Sequence, residues 1–318
     1  MRLLHSKKRV FQSFDGDSVP PYATLSHTWG SKEVTHQEMV AWIQADKEGR
    51  SLYDKRDFRK IDLTCNQARY DGIDWVWIDT CNIDKSSSSE LSEAINSMFQ
   101  WYKNADMCYV YLEDINYQDL KAIYKDLKGS QEGIANYNKL RVLRSARWFS
   151  RGWTLQELIA SEKIRFYCAI PGSTRWSFIG SKESELDLLA TITGIDKAVL
   201  EQPDLLSTMS VARRMSWAAF RETTRPEDIA YCLLGVFQVN MPLLYGEGSN
   251  AFIRLQEEIL KNSEDESLFA WTEQEVNKVI RNDGILASHP RAFSESSEIV
   301  PYASKLEPYA MTNRGLRI

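Results

Sequence analysis

The chain has 318 residues, of which 43% are hydrophobic and 26% are charged, and its net charge is −5 at pH 7. This composition is typical of a folded globular protein and excludes a disordered, collagen-like or low-complexity chain. The acidic balance gives no electrostatic basis for binding nucleic acid. The five cysteines form no CxxC pair and the four histidines form no HxxxH pair. We therefore expect no disulfide framework and no metal site.

The start of the chain lacks the apolar run of a signal peptide, and no stretch reaches the ~20 apolar residues of a membrane span. We therefore expect a cytoplasmic location and no membrane partner. The chain also stops at Arg314–Ile318 without an end signal. This ending predicts that the chain is a fragment of a longer protein.

Strands and helices alternate in the first half of the chain. The predicted strands are Tyr22–Ser26, Ile73–Asp79, Asp106–Leu112 and Lys163–Cys168. The predicted helices are 32–46, 57–70, one that begins at a capping box from Ser87 to Glu90, and 152–161. This alternation predicts an α/β fold with a mostly parallel sheet flanked by helices. Ligands of such sheets bind beyond the carboxyl ends of the strands, here at 26–30, 79–85 and 113–114.

The pattern changes after about residue 170. Helices are predicted at 182–190, 211–220, 227–237 and 248–262. The charged run from Arg221 to Asp228 is expected to form caps and pairs between helices, with no chemistry assigned to it. The chain is thus predicted to divide into a domain at 1–170 and a mainly helical extension at 171–318 that packs on it.

Three motifs carry residue types suited to chemistry, and each has a structural alternative. The first predicted strand ends in Ser26, His27, Trp29 and Gly30, which suit a loop that faces a ligand. The alternative is a tight turn with the indole in the core. In the second motif, Asp79, Asn82 and Asp84 follow a strand and could bind a sugar hydroxyl or a cation. Alternatively, they bond to the backbone of their own turn.

The third motif runs from Arg147 to Ala160. A helix that begins near Gly152 puts Trp153 and Glu157 on one face, at positions i and i+4. A carboxylate beside an indole, with Arg151 near the helix start, suits an anionic aromatic ligand. The alternative is a surface pair of Glu and Arg worth well under ~1 kcal/mol, with the indole in the core.

These three motifs resemble the signature blocks of the fungal heterokaryon-incompatibility (HET) domain, in order and across residues 22–160. Residues 209–258 resemble the region that follows this domain in incompatibility proteins of the HET-E/HET-D type. The resemblance assigns residues 1–170 to a HET domain. It also implies a nucleotide-binding regulatory module, fused or separate, as a partner.

The HET domain is remotely similar to the Toll/interleukin-1 receptor (TIR) fold, which is flavodoxin-like. The segment Trp153–Leu158 resembles the Trp-Cys-Leu-x-Glu-Leu block of TIR domains that cleave NAD+, with Thr154 in place of the cysteine. The resemblance implies that Glu157 is the catalytic carboxylate. The residues expected to bind the substrate are Ser26, His27, Trp29, Gly30, Asp79, Asn82, Arg151 and Trp153.

The resemblance implies a cell-death effector of fungal vegetative incompatibility that self-associates into a homo-oligomer. In that state it would hydrolyse NAD+ to nicotinamide and ADP-ribose, with NAD+ as substrate and no further cofactor. The alternative is a non-enzymatic TIR-like signalling module that triggers cell death by recruiting partners.

Overall fold

The structure is a computed structural model that describes residues 1–48, 58–127, 132–272, 284–301, 310–312 and 315–317. The chain divides into two compact units. Unit 1 comprises residues 1–149 and 160–188, and unit 2 comprises residues 150–159 and 189–318. The domain boundary predicted after residue 170 stays a prediction.

Unit 1 is built from a sheet and helices. Its strands are β1 (Arg2–His5), β2 (Phe11–Ser13), β3 (Tyr22–His27), β4 (Trp75–Trp77), β5 (Met107–Tyr111), β6 (Ile164–Ala169) and β7 (Trp176–Ser181). Its helices are α1 (His36–Lys47), α2 (Arg59–Tyr70), α3 (Asp79–Asn82), α4 (Ser88–Lys103), α5 (Tyr117–Leu127) and α6 (Glu132–Arg144). Two short 3-10 helices lie at Gly16–Ser18 and Arg147–Ser150, and the last residue of the second belongs to unit 2.

The seven strands form one sheet in the order β2-β1-β4-β3-β5-β6-β7. The four central strands are parallel, and counted along the chain they lie in the order 2-1-3-4, which is the flavodoxin-like order. The predicted α/β fold with a parallel core flanked by helices is confirmed. The outer strands β1, β2 and β7 are antiparallel additions that the alternation of strands and helices did not predict.

Strand β3 lies at the centre of the sheet, and all six of its residues are buried. Residues on its two faces alternate, as they do in any strand. On one face, Ala23 lies in a buried cluster with Met39 of α1 and Ile61 of α2. On the other face, the Oγ of Ser26 accepts a hydrogen bond of 2.8 Å from the Nε1 of Trp148. Burial on both faces explains why the sequence of β3 contains no charged residue that would mark a solvent-exposed face.

Helix α4 packs against the strands through aromatic side chains. The rings of Trp77 and Tyr102 meet edge to face with centroids 5.6 Å apart, and the Tyr102 hydroxyl donates to the Leu25 carbonyl at 3.0 Å. Of the two hydrogen bonds in the predicted capping box at the start of α4, the one to Ser87 is confirmed, because its side chain accepts from the Glu90 N–H. The Glu90 carboxylate instead accepts two bonds from the Arg2 guanidinium.

Unit 2 is mainly helical in its described residues. Its helices are α7 (Trp153–Ala160, whose last residue belongs to unit 1), α8 (Leu186–Thr193, which begins in unit 1), α9 (Lys197–Glu201), α10 (Val211–Ser216), α11 (Asp228–Tyr231), α12 (Leu234–Phe237) and α13 (Asn250–Asn262). Short 3-10 helices lie at Pro203–Thr208, Glu266–Phe269 and Pro290–Phe293. Strands β8 (Ala310–Thr312) and β9 (Gly315–Arg317) pair antiparallel. The single helix predicted at 227–237 is wrong, because α11 and α12 are separated by Cys232 and Leu233.

The five cysteines are buried and carry free thiols. Burial raises the pKa of Cys168 to about 11 and that of Cys65 to about 12. It also raises the pKa of Cys81 and Cys232 well above the ordinary thiol value. In the part of the chain that the structure describes, no helix is long and apolar enough to cross a membrane.

Lys182 in unit 1 provides a pH test of the fold. Its side chain is 3% exposed, and its Nζ donates to the Ser161 carbonyl at 2.7 Å. Burial lowers the pKa of Lys182 to about 8, although the nearby Cys108 and Glu162 act in the opposite direction. The unfolded chain therefore holds this proton more tightly than the folded chain. Stability from this group rises as the pH increases from about 8 to about 10.4.

We predict that Lys182→Met removes this pH dependence. Between pH 7 and pH 10, the unfolding free energy of the wild type should rise by about 2 kcal/mol relative to the variant. Chemical denaturation of both proteins at the two pH values measures the difference. A difference that stays constant between the two pH values would contradict the burial cost assigned to Lys182.

Candidate functional site

Three loops meet at the carboxyl ends of the parallel strands of unit 1. The loop after β3 contacts the loop after β4, because His27 bonds to Asp79. The Nζ of Lys60 lies 3.2 Å from the Thr28 carbonyl and 3.2 Å from the carboxylate of Glu113, which follows β5. Strands β3 and β5 flank the point at which the strand order reverses, the usual ligand position in such sheets.

Asp79 is the centre of a cluster of side chains, which we call the Asp79 cluster: His27, Trp29, Asp79 and Lys85. The Oδ1 of Asp79 lies 3.1 Å from the Nε2 of His27, and its Oδ2 accepts from the Nε1 of Trp29 at 2.9 Å. The Nζ of Lys85 lies 3.6 Å from the centroid of the Trp29 ring. Burial would raise the pKa of Asp79, but the His27 bond and the Lys85 charge hold it below its ordinary value.

His27 has one ring nitrogen that the structure leaves unsatisfied. Its Nδ1 is buried and has no hydrogen-bond partner among the described residues. The lowered pKa keeps Asp79 ionised, so its oxygen accepts the hydrogen bond from the Nε2–H of His27. Trp29 is 46% exposed, so its indole lies at the surface and not in a core.

The other predicted residues of unit 1 bond within the protein. The Ser26 hydroxyl bonds to Trp148, and the Gly30 N–H donates to the Oε1 of Glu33 at 2.6 Å. The Asn82 amide donates to the carbonyls of Arg2 and Val76 and accepts from the Ile78 N–H. Asn82 thus follows the structural alternative, in which turn side chains bond to backbone.

In unit 2, helix α7 begins directly after a backbone pairing with a distant segment. The Gly152 N–H donates to the Glu222 carbonyl at 2.9 Å, and the Glu222 N–H donates to the Ser150 carbonyl at 2.7 Å. A Cβ at Gly152 would lie 2.6 Å from the Thr223 Cγ2 and 3.0 Å from the Cys232 Sγ. A side chain at this position would therefore force Thr223 to shift and would press against Cys232.

Arg221 secures the same end of α7 with its side chain. It is buried, and its Nη1 donates to the Arg151 carbonyl at 2.9 Å and to the Thr154 hydroxyl at 3.1 Å. Burial lowers the pKa of Arg221 to about 10, while the nearby Glu157 carboxylate acts against this. The guanidinium therefore lies within electrostatic reach of Glu157.

Glu157 lies on α7 one turn after Trp153, as the i, i+4 spacing predicted. The residue is 7% exposed, so Glu157 is buried and does not lie on the surface. An ionised carboxylate is costly to bury, and buried titratable groups with a charged neighbour are enriched at functional sites.

Asp228 is a second buried carboxylate near α7, and we call Trp153, Arg225, Asp228 and Tyr245 the Asp228 cluster. The Trp153 Nε1 donates to the Oδ2 of Asp228 at 3.3 Å, and the Tyr245 hydroxyl donates to its Oδ1 at 3.0 Å. The Arg225 guanidinium lies 4.4 Å from the centroid of the Tyr245 ring. Burial raises the pKa of Asp228 above its ordinary value, although these three neighbours act to lower it.

The loop that carries Tyr245 is anchored by the residue next to Asp228. The Oε1 of Glu227 accepts from the N–H groups of Gly246 and Gly248, at 2.8 and 3.0 Å. Both glycines have positive φ values, 106° and 60°, which favour glycine. Glu227 and Asp228 therefore fix the backbone and the tyrosine side chain of one loop.

The structure brings His27, Trp29 and Asp79 together, and it places Glu157, Trp153 and Arg151 in unit 2. The Nη2 of Arg151 donates to the Thr224 hydroxyl at 3.2 Å. No chemistry was predicted for Arg221, Asp228 or Tyr245. Arg221 and Asp228 bond to Thr154 and Trp153 of α7, which are distant in the sequence, and Tyr245 bonds to Asp228. Among the described residues, no group of three or more His, Cys, Asp or Glu side chains could hold a metal ion.

Comparisons with known proteins show which protein family this chain resembles. The family model described as heterokaryon incompatibility protein (HET) matches residues 22–157, and a model described as a domain of unknown function (DUF8212) matches residues 250–310. The chain is 40% identical over 269 residues to the vegetative incompatibility protein HET-E-1 of Podospora anserina. The alignment covers 82% of the chain and 18% of that relative. No solved structure matches the chain significantly.

The matched region begins at the first residue of β3 and ends at Glu157. It contains the first two motifs, residues 147–157 of the third, the Asp79 cluster and the first five residues of α7. The chain therefore belongs to the heterokaryon incompatibility (HET) family, with its HET domain at residues 22–157.

Proposed function

We propose that this chain is the cell-death effector part of a fungal vegetative incompatibility protein. When self-associated, it hydrolyses NAD+ to nicotinamide and ADP-ribose, with Glu157 as the catalytic carboxylate. The first part of the proposal is supported by the HET family match and by the name of the 40% identical relative. Because the chain spans 18% of that relative's length, a regulatory module elsewhere in a longer protein fits this proposal.

The observation that carries the enzymatic part is the burial of Glu157. The residue is 7% exposed and lies on a helix whose start is held by the backbone pairing at Gly152 and by Arg221. A fixed carboxylate in a dry environment exerts a stronger electrostatic effect on a developing positive charge than one in water. The half-buried indole of Trp153, one turn earlier, offers a flat surface for an aromatic ring.

The chemistry of NAD+ requires only one carboxylate. The bond between C1′ of the ribose and N1 of the pyridinium ring breaks, and its electron pair goes to the ring nitrogen, so nicotinamide leaves as a neutral molecule. No general acid is needed for this departure, unlike in ordinary glycosidases. Glu157 stabilises the cationic ribosyl centre and orients a water molecule, whose oxygen bonds to C1′ and whose proton goes to solvent.

The Asp79 cluster supports the binding of a polar substrate. Its exposed indole, that of Trp29, is held by a carboxylate that remains ionised. The assignment of Ser26, His27, Trp29, Gly30, Asp79 and Asn82 to substrate binding stays a prediction. Among them, Trp29 and Asp79 offer the stronger case, because Ser26, Gly30 and Asn82 already bond within the protein.

We predict that Glu157→Gln lowers NAD+ hydrolysis by at least about 100-fold, because the isosteric amide cannot stabilise a cation. Nicotinamide release from the clustered chain measures the effect. The matched control is Glu162→Gln, the same change at an exposed carboxylate five residues along the chain. Thermal unfolding of each variant verifies that the fold is retained.

The result also separates the enzyme from the alternative function. Release that persists in a folded Glu157→Gln variant would assign the chemistry to another residue. Failure of the clustered wild type to release nicotinamide, together with retained cell killing in a fungal host, would favour the non-enzymatic module that recruits partners.

Self-association provides a second prediction. Fusion of the chain to a tetrameric coiled coil raises the local concentration without a new contact. The rate of nicotinamide release per mole of chain should rise at least about tenfold. The control fusion carries a coiled coil with disrupted heptads and remains monomeric. Equal rates per mole in the two fusions would refute the requirement for assembly.

A further inference from the structure

We propose that the Asp228 cluster is a binding site for a cationic heteroaromatic ring. Within the proposed function, on which this second step rests, that ring is the pyridinium of NAD+. The site lies wholly within unit 2 and is built from α7, the turn before α11 and the loop that Glu227 anchors.

The charge of Asp228 is the first reason for a cationic ligand. Both of its carboxylate oxygens accept hydrogen bonds, but the donors are an indole and a phenol, which are uncharged. Two neutral donors orient the carboxylate without neutralising it. The positive charge of the exposed Arg225 lowers the pKa of Asp228 but does not offset the effect of burial, so a further cation at this site would stabilise the carboxylate.

The geometry of the indole is the second reason. The N–H bond of Trp153 lies in the plane of its ring, so Asp228 sits at the ring edge and leaves the faces uncovered by this contact. The side chain is half-buried and thus reachable from solvent. An aromatic face beside a carboxylate is a favourable environment for a flat organic cation.

Arg225 completes the site on the side of Tyr245. Its guanidinium lies over the Tyr245 ring at 4.4 Å, and the residue is exposed. It can therefore meet an anionic group carried by the same ligand. A dinucleotide combines a pyridinium cation with a diphosphate, which matches a site with one buried carboxylate and one exposed arginine.

The position of the site on α7 connects it with the reaction. Trp153 and Glu157 are one helical turn apart, with about 5–6 Å between Cβ atoms at this spacing. A ring held against Trp153 would place the bond between ring and ribose within reach of Glu157. Asp228 and Tyr245 would then act as specificity residues for the leaving group.

The experiment compares two probes that differ in charge but share the ring: 1-methylnicotinamide, which is cationic, and nicotinamide, which is neutral. We expect the wild-type chain to bind the cation about tenfold more tightly, as measured by ligand-observed NMR titration. This comparison requires no substitution, and an equal affinity for both probes would overturn the proposal.

Variants then test which residues cause the preference for the cationic probe. Asp228→Asn removes the charge with little change of shape and should abolish the tenfold preference. Tyr245→Phe removes one hydrogen bond but keeps the charge, so it should retain the preference. Tyr70→Ala alters an exposed aromatic residue outside both clusters and should also leave the preference unchanged. Loss of the preference in Tyr70→Ala, or its retention in a folded Asp228→Asn variant, would overturn the site.

A parallel assay of NAD+ hydrolysis separates this inference from the proposed function. The clustered chain could release no nicotinamide and still show a cation preference that depends on Asp228. This result would support the cation-binding site and refute the proposed NAD+ hydrolysis. Alternatively, the wild type and Asp228→Asn could both release nicotinamide with the same KM for NAD+. This result would support NAD+ hydrolysis and refute the cation-binding site.

Discussion

The close approach of two backbone segments at Gly152 is the constraint on which the candidate chemistry depends. The segment 150–152 exchanges two hydrogen bonds with Glu222, and a side chain at the glycine would have to displace Thr223 and press against Cys232. Arg221 adds a side-chain bridge to the first turn of α7. Because a helix is rigid over two turns, this pairing also sets the positions of Trp153 and Glu157. A carboxylate can act on a transition state only if its position is fixed before the reaction.

The two carboxylate clusters show how similar groups acquire opposite properties. Asp79 and Asp228 each accept one bond from an indole N–H. The second donor of Asp79 is an imidazole, with a lysine nearby, and its pKa falls. The second donor of Asp228 is a phenol, and its pKa rises because burial dominates. Asp79 is therefore suited to hold polar groups in place, and Asp228 to receive a cation.

The sequence predicted the parallel core of unit 1 well, because β3 and β5 are buried runs with no competing local structure. It overestimated β4. The apolar run Ile73–Asp79 suggested a strand of seven residues, but the Asn82 side chain bonds to the Ile78 N–H, and α3 starts at Asp79. The antiparallel strands β1 and β2 have only four and three residues, too few for a periodic signal.

For the candidate site, the spacing of residues in the sequence predicted the side chains that share one helix. It did not predict the side chains that tertiary contacts bring to that helix. The pairing of Trp153 with Glu157 follows from the helical repeat alone. The partner of Trp153, Asp228, lies 75 residues further along the chain. The sequence offered only an acidic residue near a helix start, a position that acidic side chains often occupy for capping.

The burial of the thiols determines how the folded chain reacts with oxidants. The thiolate is the form that oxidants and alkylating agents attack, and raised pKa values keep Cys65, Cys81, Cys168 and Cys232 protonated at neutral pH. These four side chains are also shielded from solvent. Oxidants and alkylating agents would therefore leave these four thiols unmodified in the folded chain.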